Sequence, residues 1–302
     1  TPTQNAPTLE TNAGYPAATE TPAETAYPVK TEAPTETPVP EPTNEVPPGV
    51  ATLIATIDHK EIMPPLETIL HDGQSEEVAP GISFKLPQGV ASGIKQELVP
   101  EEPADEYDGN WDRLPEHWQI KFTGYNGPES HFEPEILIIP IEEYKALMPE
   151  LVDNIDLLAS VLNNADYDEV TPWGGIPYLP FVNAGQIIIA KSLFFAFQNG
   201  RGVGYVTQFG QAYLPIVSAE TVYAFQGITD DGKYLLSAWL PIGIAGLPGK
   251  TNLSEFDFES FQKEMEVYYP RITQQINALP DSGFTPSLDA LNGMMSSFSI
   301  KP

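Results

Sequence analysis

Residues 186–209 read QIIIAKSLFFAFQNGRGVGYVTQF, and this stretch decides the fold class. Apolar and β-branched residues dominate 186–198 and again 202–209, and both runs are typical of strands. Between the runs lies Asn199-Gly200, a dipeptide that favours a tight turn. The stretch therefore predicts a hairpin of two long strands, and such hairpins build antiparallel sheets.

A second hairpin is predicted a few residues further on. Residues 221–228 and 233–241 are rich in strand-forming side chains, and the turn-forming residues Thr229-Asp230-Asp231-Gly232 separate them. Earlier in the chain, shorter runs are either alternating or continuously apolar. They predict further strands at 50–57, 82–86, 94–99, 118–123 and 135–140.

Three segments have helical spacing instead. Apolar residues recur every three or four positions from Ile141 to Leu162, and Pro149 predicts a break near Met148 with a second helix after it. Residues 256–279 carry a similar stripe, which Pro270 should kink or split, and 286–295 predict a short last helix. The predicted fold class is α+β, an antiparallel sheet of long hairpins flanked by helices on one or both faces.

Residues 1–48 differ from the rest of the chain. They repeat Thr, Pro and Glu in units such as Thr35-Glu36-Thr37-Pro38. A stretch of this kind buries too little apolar area to offset its conformational entropy, and its prolines lack the N–H that regular structure needs. We expect a disordered linker over 1–48, either unmodified or O-glycosylated on Thr, followed by a single α+β domain over 49–302.

The composition excludes several classes of function. The 302 residues include 42 Asp and Glu against 14 Lys and Arg, which gives a formal net charge of −28. Nucleic acids and anionic membranes require a basic surface, so neither is an expected partner, whereas cations and basic partners remain open. The chain has no Cys, which excludes disulfides and thiolate chemistry, and it has no apolar run long enough for a transmembrane segment.

The two ends of the folded part resemble PsbP-like domains. The first strand of those domains is similar to Gly81-Ile82-Ser83-Phe84-Lys85-Leu86-Pro87-Gln88-Gly89, and their last helix and strand are similar to Leu288-Asp289-Ala290-Leu291 and Ser297-Phe298-Ser299-Ile300. Val90 stands where a Trp often follows the Gly, and residues 125–190 would form an insertion. The resemblance implies an antiparallel sheet with flanking helices, on a scaffold that serves many binding and accessory roles.

A longer stretch, residues 179–234, is similar to exported or lipid-anchored proteins of Chloroflexi-like bacteria. The similarity is carried by Phe197-Gln198-Asn199-Gly200 and Tyr205-Val206-Thr207-Gln208. It implies an extracellular protein attached to the bacterial cell surface through its tail. We therefore expect an export signal upstream of Thr1, and a lipid anchor there is one way to hold the protein at the surface.

No motif in the sequence carries a recognisable reaction. The chain has no Gly-x-Ser-x-Gly, and its histidines at 59, 71, 117 and 131 have no metal-binding spacing. Gly200-Arg201-Gly202-Val203-Gly204 joins two predicted strands, so it lacks the helix that a phosphate loop needs. We expect no catalytic residue and no cofactor.

Two segments are candidate binding sites. The acidic run from 105 to 112 places Asp105, Asp108, Asn110 and Asp112 around a glycine, a pattern of oxygen ligands that suits Ca²⁺. The closing Glu and the flanking helices of an EF-hand are absent, which favours a solvated loop.

The second candidate is the Pro- and Gly-rich loop that holds Trp173, Tyr178 and Phe181. Large rings on a stiff loop bind sugars or partner chains when exposed. The alternative interpretation is that Trp173 and Tyr178 fold back to cap the core.

Three functions fit these observations. The first is a surface-tethered, non-enzymatic module that binds a protein or glycan, and the second is a structural subunit of a surface layer or filament that exchanges strands. The third is a hydrolase with an unrecognised carboxylate site. The absence of a recognisable catalytic motif in the sequence and the stalk-like tail favour the first function.

Deletion of residues 1–48 should leave the thermal midpoint unchanged, because this segment has no apolar periodicity with which to pack on a domain. Scanning calorimetry of the full chain and of a chain that starts at residue 49 compares the two midpoints. A fall of several degrees on deletion would show that the tail packs against the domain.

Overall fold

The computed structural model describes residues 76–103, 113–167, 175–250 and 256–301. The strands in these ranges are β1 Glu76–Ala79, β2 Ile82–Phe84, β3 Gly93–Val99, β4 His117–Thr123, β5 Glu135–Pro140, β6 Gly185–Phe197, β7 Gly200–Gly210, β8 Thr221–Thr229, β9 Tyr234–Pro241, β10 Gly243–Ile244, β11 Phe284–Thr285 and β12 Ser299–Ile300. The helices are α1 Ile141–Leu147, α2 Val152–Asn164, α3 Phe258–Ala278 and α4 Leu288–Ser296. The predicted linker and the predicted strand at 50–57 lie outside the described residues.

A seven-stranded antiparallel sheet is the centre of the fold. Its strand order is β3-β4-β5-β9-β8-β7-β6. The two predicted hairpins, β6–β7 and β8–β9, stand side by side and supply four of these strands. The prediction of an α+β fold with an antiparallel sheet of long hairpins and flanking helices is confirmed.

The turn of the first hairpin differs from the prediction by one residue. Gln198 and Asn199 form the turn, and Gly200 is already paired with Phe197 as the first residue of β7. Gly200 is needed because of close packing, since a side chain there would collide with the Phe197 ring and with the carbonyl oxygen of Ile228. The Gly that indicated a turn therefore marks a close contact between strands.

Both faces of the large sheet are covered, and each has its own hydrophobic core. The first face packs against α3, α4 and a small sheet of order β1-β2-β12, in a core that includes Phe84, Ile120, Ile136, Phe225 and Phe298. The second face packs against α1, α2 and residues 175–179, in a core that includes Tyr144, Leu158, Leu179, Val203 and Tyr205. Strands β7 and β8 lie between the two cores and are buried along most of their length.

The helices follow the predicted pattern, and of the two outcomes predicted at Pro270 the split does not occur. Pro149 begins a short 3₁₀ turn, Pro149–Leu151, between α1 and α2, so the predicted break near Met148 is confirmed. Helix α3 continues through Pro270 as one helix of 21 residues, so it is not split. The Tyr268 hydroxyl accepts from the Ile216 N–H at 3.0 Å and the Tyr269 hydroxyl donates to the Leu214 carbonyl at 3.0 Å, which ties the helix to its neighbouring loop next to the proline.

The two ends of the folded part meet in the small sheet. Strand β12 pairs with β2, with Ser299 opposite Ser83 and Ile300 opposite Ile82. The rings of Phe84 and Phe298 stack with their centroids 4.4 Å apart and their planes 5° from parallel. Because both rings are buried, this contact joins the last strand to the first-face core.

Replacement of Phe298 by Ala should lower the free energy of unfolding by about 3–5 kcal/mol, because it leaves a cavity in the core beside Phe84. Phe258 is 48% exposed, so Phe258→Ala is a control of the same chemical change and should cost less than about 1 kcal/mol. Urea denaturation curves measure both values. Equal losses for the two variants would contradict a structural role for the Phe84–Phe298 stack.

Candidate functional site

One part of the second face carries polar side chains that helices do not cover. Trp118, Ile120 and Phe122 of β4 point into the first core, so the residues that alternate with them, Gln119 and Lys121, lie on the second face. Their side chains are partly accessible, and Lys95 and Glu97 on the neighbouring edge strand β3 are exposed. This half of the sheet is therefore a surface, while the half formed by β7 and β8 is packed beneath α2.

The strand register places this polar surface beside aromatic residues. Pairing across the sheet forms one row on the second face: Lys95, Lys121, Glu135, Trp239, Ala224 and Tyr205. The charged residues occupy the β3–β4–β5 end of the row, and Trp239 and Tyr205 lie at the β9–β8–β7 end with Ala224 between them. The junction falls between Glu135 and Trp239, which are direct neighbours.

The polar side chains next to this junction pair with one another. The Gln119 amide nitrogen donates to the Glu135 carboxylate at 2.7 Å, and the Lys121 ammonium group lies 3.2 Å from the Glu133 carboxylate. We call Gln119, Lys121, Glu133 and Glu135 the polar platform. Its members present an amide, an ammonium group and two carboxylates side by side, so it offers both hydrogen-bond donors and acceptors.

On the other side of the junction lies a cluster of rings, Phe132, Tyr178, Phe209 and Trp239, which we call the aromatic cluster. Trp239 and Phe209 stack with centroids 4.7 Å apart, and Phe132 lies 4.9 Å from the Trp239 ring. Tyr178 contacts Phe209 and Trp239 edge-on, at 5.2 and 5.5 Å. These are favourable arrangements for aromatic pairs, so the rings hold one another in place.

The cluster is buried on one side and open on the other. Trp239 is 9% exposed, whereas Phe132 is 51% exposed and lies directly against it. The most exposed ring of the cluster thus rests on a buried ring of a central strand. Phe181, which follows Tyr178 closely in the sequence, is 39% exposed.

A buried glutamine holds the loop that carries Tyr178. The Gln226 side chain on β8 accepts from the Leu179 N–H at 3.0 Å and donates to the Leu179 carbonyl at 3.0 Å. The same amide donates to the Ser237 hydroxyl at 2.8 Å. The Tyr178 hydroxyl in turn reaches the Ala238 carbonyl at 3.3 Å. The loop is therefore fixed to the middle of the sheet, with Tyr178 over β9.

Of the two binding sites predicted from the sequence, the structure describes only part of the aromatic loop. Tyr178 is half-buried in the aromatic cluster, and Phe181 is exposed near it in sequence. Trp173 lies outside the described residues, as do all four candidate calcium ligands, Asp105, Asp108, Asn110 and Asp112. Within the ranges that the structure describes, no three His, Cys, Asp or Glu side chains group as a metal site.

Sequence reasoning missed Phe132, Phe209, Trp239 and Gln226. Each has an ordinary position in its own segment, in a loop or on an alternating strand. Phe132 and Trp239 meet only because β5 pairs with β9, two strands that are far apart in the chain. No local pattern could have indicated this contact.

Several polar atoms beneath the loop are buried and have no hydrogen-bond partner among the described residues. They are the Tyr205 hydroxyl, the Thr207 hydroxyl, the Trp239 indole N–H and the Gln186 side-chain oxygen. Burial raises the pKa of Tyr205 well above that of an exposed tyrosine. Burial also raises the pKa of Tyr178, and the negative charge of Glu135 adds to this, although a hydrogen bond with Ser237 opposes it.

Two shallow clefts elsewhere lack a comparable arrangement. One is lined by Glu129, Ser130, His131, Glu220 and Lys250, and its closest charged contact is His131 to Glu220 at 3.8 Å, with the imidazole largely exposed. The other lies beside the β8–β9 turn and the last strand, where Asp230, Asp231 and Lys233 are exposed to solvent. In the first cleft the Ser130 hydroxyl accepts from the Phe132 N–H at 3.3 Å.

Comparison with known protein families, curated proteins and solved structures finds no match for this chain. In the part of the chain that the structure describes, no helix is both long and apolar enough to cross a membrane.

Replacement of Tyr205 by Phe should leave the free energy of unfolding at pH 7 unchanged or raise it by up to about 1 kcal/mol, because it removes a buried hydroxyl without a partner among the described residues. The pH dependence should change as well. An unfolded tyrosine loses its proton near pH 10, whereas buried Tyr205 retains it at that pH. The ionisation of this tyrosine therefore leaves the free energy of unfolding unchanged below about pH 10 and lowers it above that pH. The free energy of unfolding of Tyr205→Phe should fall less steeply over the same range.

Chemical denaturation between pH 7 and pH 11 tests both parts of this prediction. Tyr213→Phe is the control, because Tyr213 is 55% exposed and its replacement should leave stability at neutral pH unchanged. A loss of more than about 1 kcal/mol at pH 7 in Tyr205→Phe would mean that the hydroxyl makes a stabilising hydrogen bond.

Proposed function

We propose that this protein is a non-enzymatic binding module, tethered to the bacterial cell surface by its N-terminal segment, and that it binds through the aromatic cluster. One observation carries the proposal. Phe132 is 51% exposed and yet is held against the buried Trp239 at 4.9 Å. Large exposed rings on a fixed support are typical of binding surfaces.

The rings of the aromatic cluster are already fixed in place, which favours binding because few side chains have to be ordered when a ligand binds. Trp239 on β9 and Phe209 on β7 belong to the two strands that flank β8 in the central sheet, and their rings stack on each other. Gln226 holds the Tyr178 loop through two hydrogen bonds to Leu179. A surface that is already ordered loses less conformational entropy on binding, so more of the contact energy contributes to affinity.

The two edge strands of the sheet disfavour the alternative function, which is a filament subunit that exchanges strands with its neighbours. Among the strands that the structure describes, β3 stands at the edge next to the polar platform, and Lys95 and Glu97 are exposed along it. Charged side chains on an edge strand oppose the addition of another strand. The opposite edge strand, β6, is tied to helix α3 through Lys191, whose N–H donates to Asn277 at 2.7 Å and whose ammonium group donates to the Leu279 carbonyl at 2.7 Å.

Phe132→Ala should reduce retention of the full chain on bacterial cell-envelope material at least tenfold, because it removes the exposed ring of the cluster. Co-sedimentation with an intact envelope preparation, with its protein fraction and with its deproteinised glycan fraction measures retention. Phe258→Ala is the matched control, since Phe258 is exposed to a similar degree on α3, and it should bind like the wild type.

Two outcomes would contradict the proposal. Failure of the wild-type chain to bind any of the three preparations would remove the binding function. Equal retention of the wild type, Phe132→Ala and Phe258→Ala would show that binding does not use the aromatic cluster. Thermal melts of the variants establish that each is folded before retention is compared.

A further inference from the structure

We infer that the ligand of the aromatic cluster is a neutral, hydroxyl-rich glycan that lies across the polar platform with one sugar ring on Phe132; this rests on the proposed function. The inference starts from the junction in the sheet, where Glu135 is the direct neighbour of Trp239. A ligand on Phe132 therefore has the hydrogen-bonding groups of the platform within the same surface.

The apolar part of the site matches one side of a sugar ring. A pyranose ring has a face made of C–H groups, which packs on an aromatic ring, while its hydroxyls extend outward around the edge. The exposed side of Phe132 offers a ring of this kind, and Trp239 supports it from below at 4.9 Å. Rings that stack on ligands in this way contribute strongly to affinity.

The polar part of the site matches the hydroxyls. A hydroxyl both donates and accepts a hydrogen bond, so it can pair with an amide, an ammonium group or a carboxylate. The platform presents all three: Gln119 and Glu135 are joined at 2.7 Å, and Lys121 lies 3.2 Å from Glu133. Hydroxyls can extend these pairs without breaking them, because each carboxylate has lone pairs left over.

The charges of the surface favour a neutral ligand over a charged one. Lys95 and Lys121 stand opposite each other on neighbouring strands, so a cation on the platform would meet two ammonium groups, and the carboxylates there are already paired, Glu133 with Lys121 at 3.2 Å and Glu135 with Gln119 at 2.7 Å. An anion would meet Glu133, Glu135 and the field of a chain with a net charge of −28. The charges also neutralise one another locally, with Lys95 lying 3.7 Å from Glu97 and Lys121 lying 3.2 Å from Glu133. A neutral ligand with many dipoles avoids both penalties.

Affinity electrophoresis in native gels tests the inference on the full chain. The gels contain soluble neutral polysaccharides, namely a β-glucan, an α-glucan, a mannan or a galactan, and parallel gels contain an anionic polygalacturonate. A pull-down on immobilised polylysine represents a basic protein partner. We expect retardation by at least one neutral polysaccharide and little change of its dissociation constant in 1 M NaCl, because neutral recognition is not screened.

Three variants locate the site. Phe132→Ala and Phe132→Leu should each weaken binding about tenfold or more, the second because it keeps an apolar side chain but removes the ring. Gln119→Met keeps the size of the side chain and removes its hydrogen bonds, so it should also weaken binding about tenfold. Phe258→Ala should bind like the wild type.

The results separate this inference from the proposed function. Retention on polylysine or on the envelope protein fraction alone, lost in Phe132→Ala, would overturn the glycan ligand and leave the binding module intact. Absence of retardation by every neutral polysaccharide would also overturn the glycan ligand. Neutral-glycan binding that is lost in Phe132→Ala but unchanged in Gln119→Met would overturn the placement of the ligand across the platform.

Discussion

Side-chain amides that bind the backbone of distant segments hold this fold together outside its sheet ladders. The clearest example is Gln226, which is fully buried at the centre of β8 and pairs with both the N–H and the carbonyl of Leu179. A buried amide without partners would cost about 1–3 kcal/mol, and here its oxygen and nitrogen are both used. The requirement to satisfy this one side chain fixes where the loop of Tyr178 can lie.

The same device recurs at two other places. Gln208 near the end of β7 donates to the Pro215 carbonyl at 3.1 Å and accepts from the Val217 N–H at 3.0 Å, so it holds the loop between β7 and β8. Asn199 at the other end of β7 donates to the Ile300 carbonyl at 2.7 Å and accepts from the Ile300 N–H at 2.9 Å. In each case an amide imitates the pattern of a neighbouring strand and attaches a segment outside the large sheet to it.

Burial of the central strands decides where a binding surface can exist. Strands β7 and β8 have a hydrophobic core on each side, so most of their side chains are not available to a ligand. The second face becomes accessible over β3 and β4 and at Glu135, the first residue of β5, and there the aromatic cluster meets the polar platform. The site is thus a border between a covered and an uncovered part of one face, which explains why a buried Trp239 can support an exposed Phe132.

Local patterns in the sequence were sufficient for the long hairpins, the helices and the fold class, but not for the short strands β1, β10 and β11. Alternation and turn residues identified the two long hairpins, and Pro149 marked the break between two helices, because each signal depends on residues that are close in the chain. The binding surface could not be predicted in this way. Gln226 contacts a residue 47 positions away, and Trp239 meets Glu135 only through the pairing of β5 with β9. Local backbone preferences thus determined the strands and helices, whereas only the packing and register of distant segments decided which rings are exposed and which polar groups stand beside them.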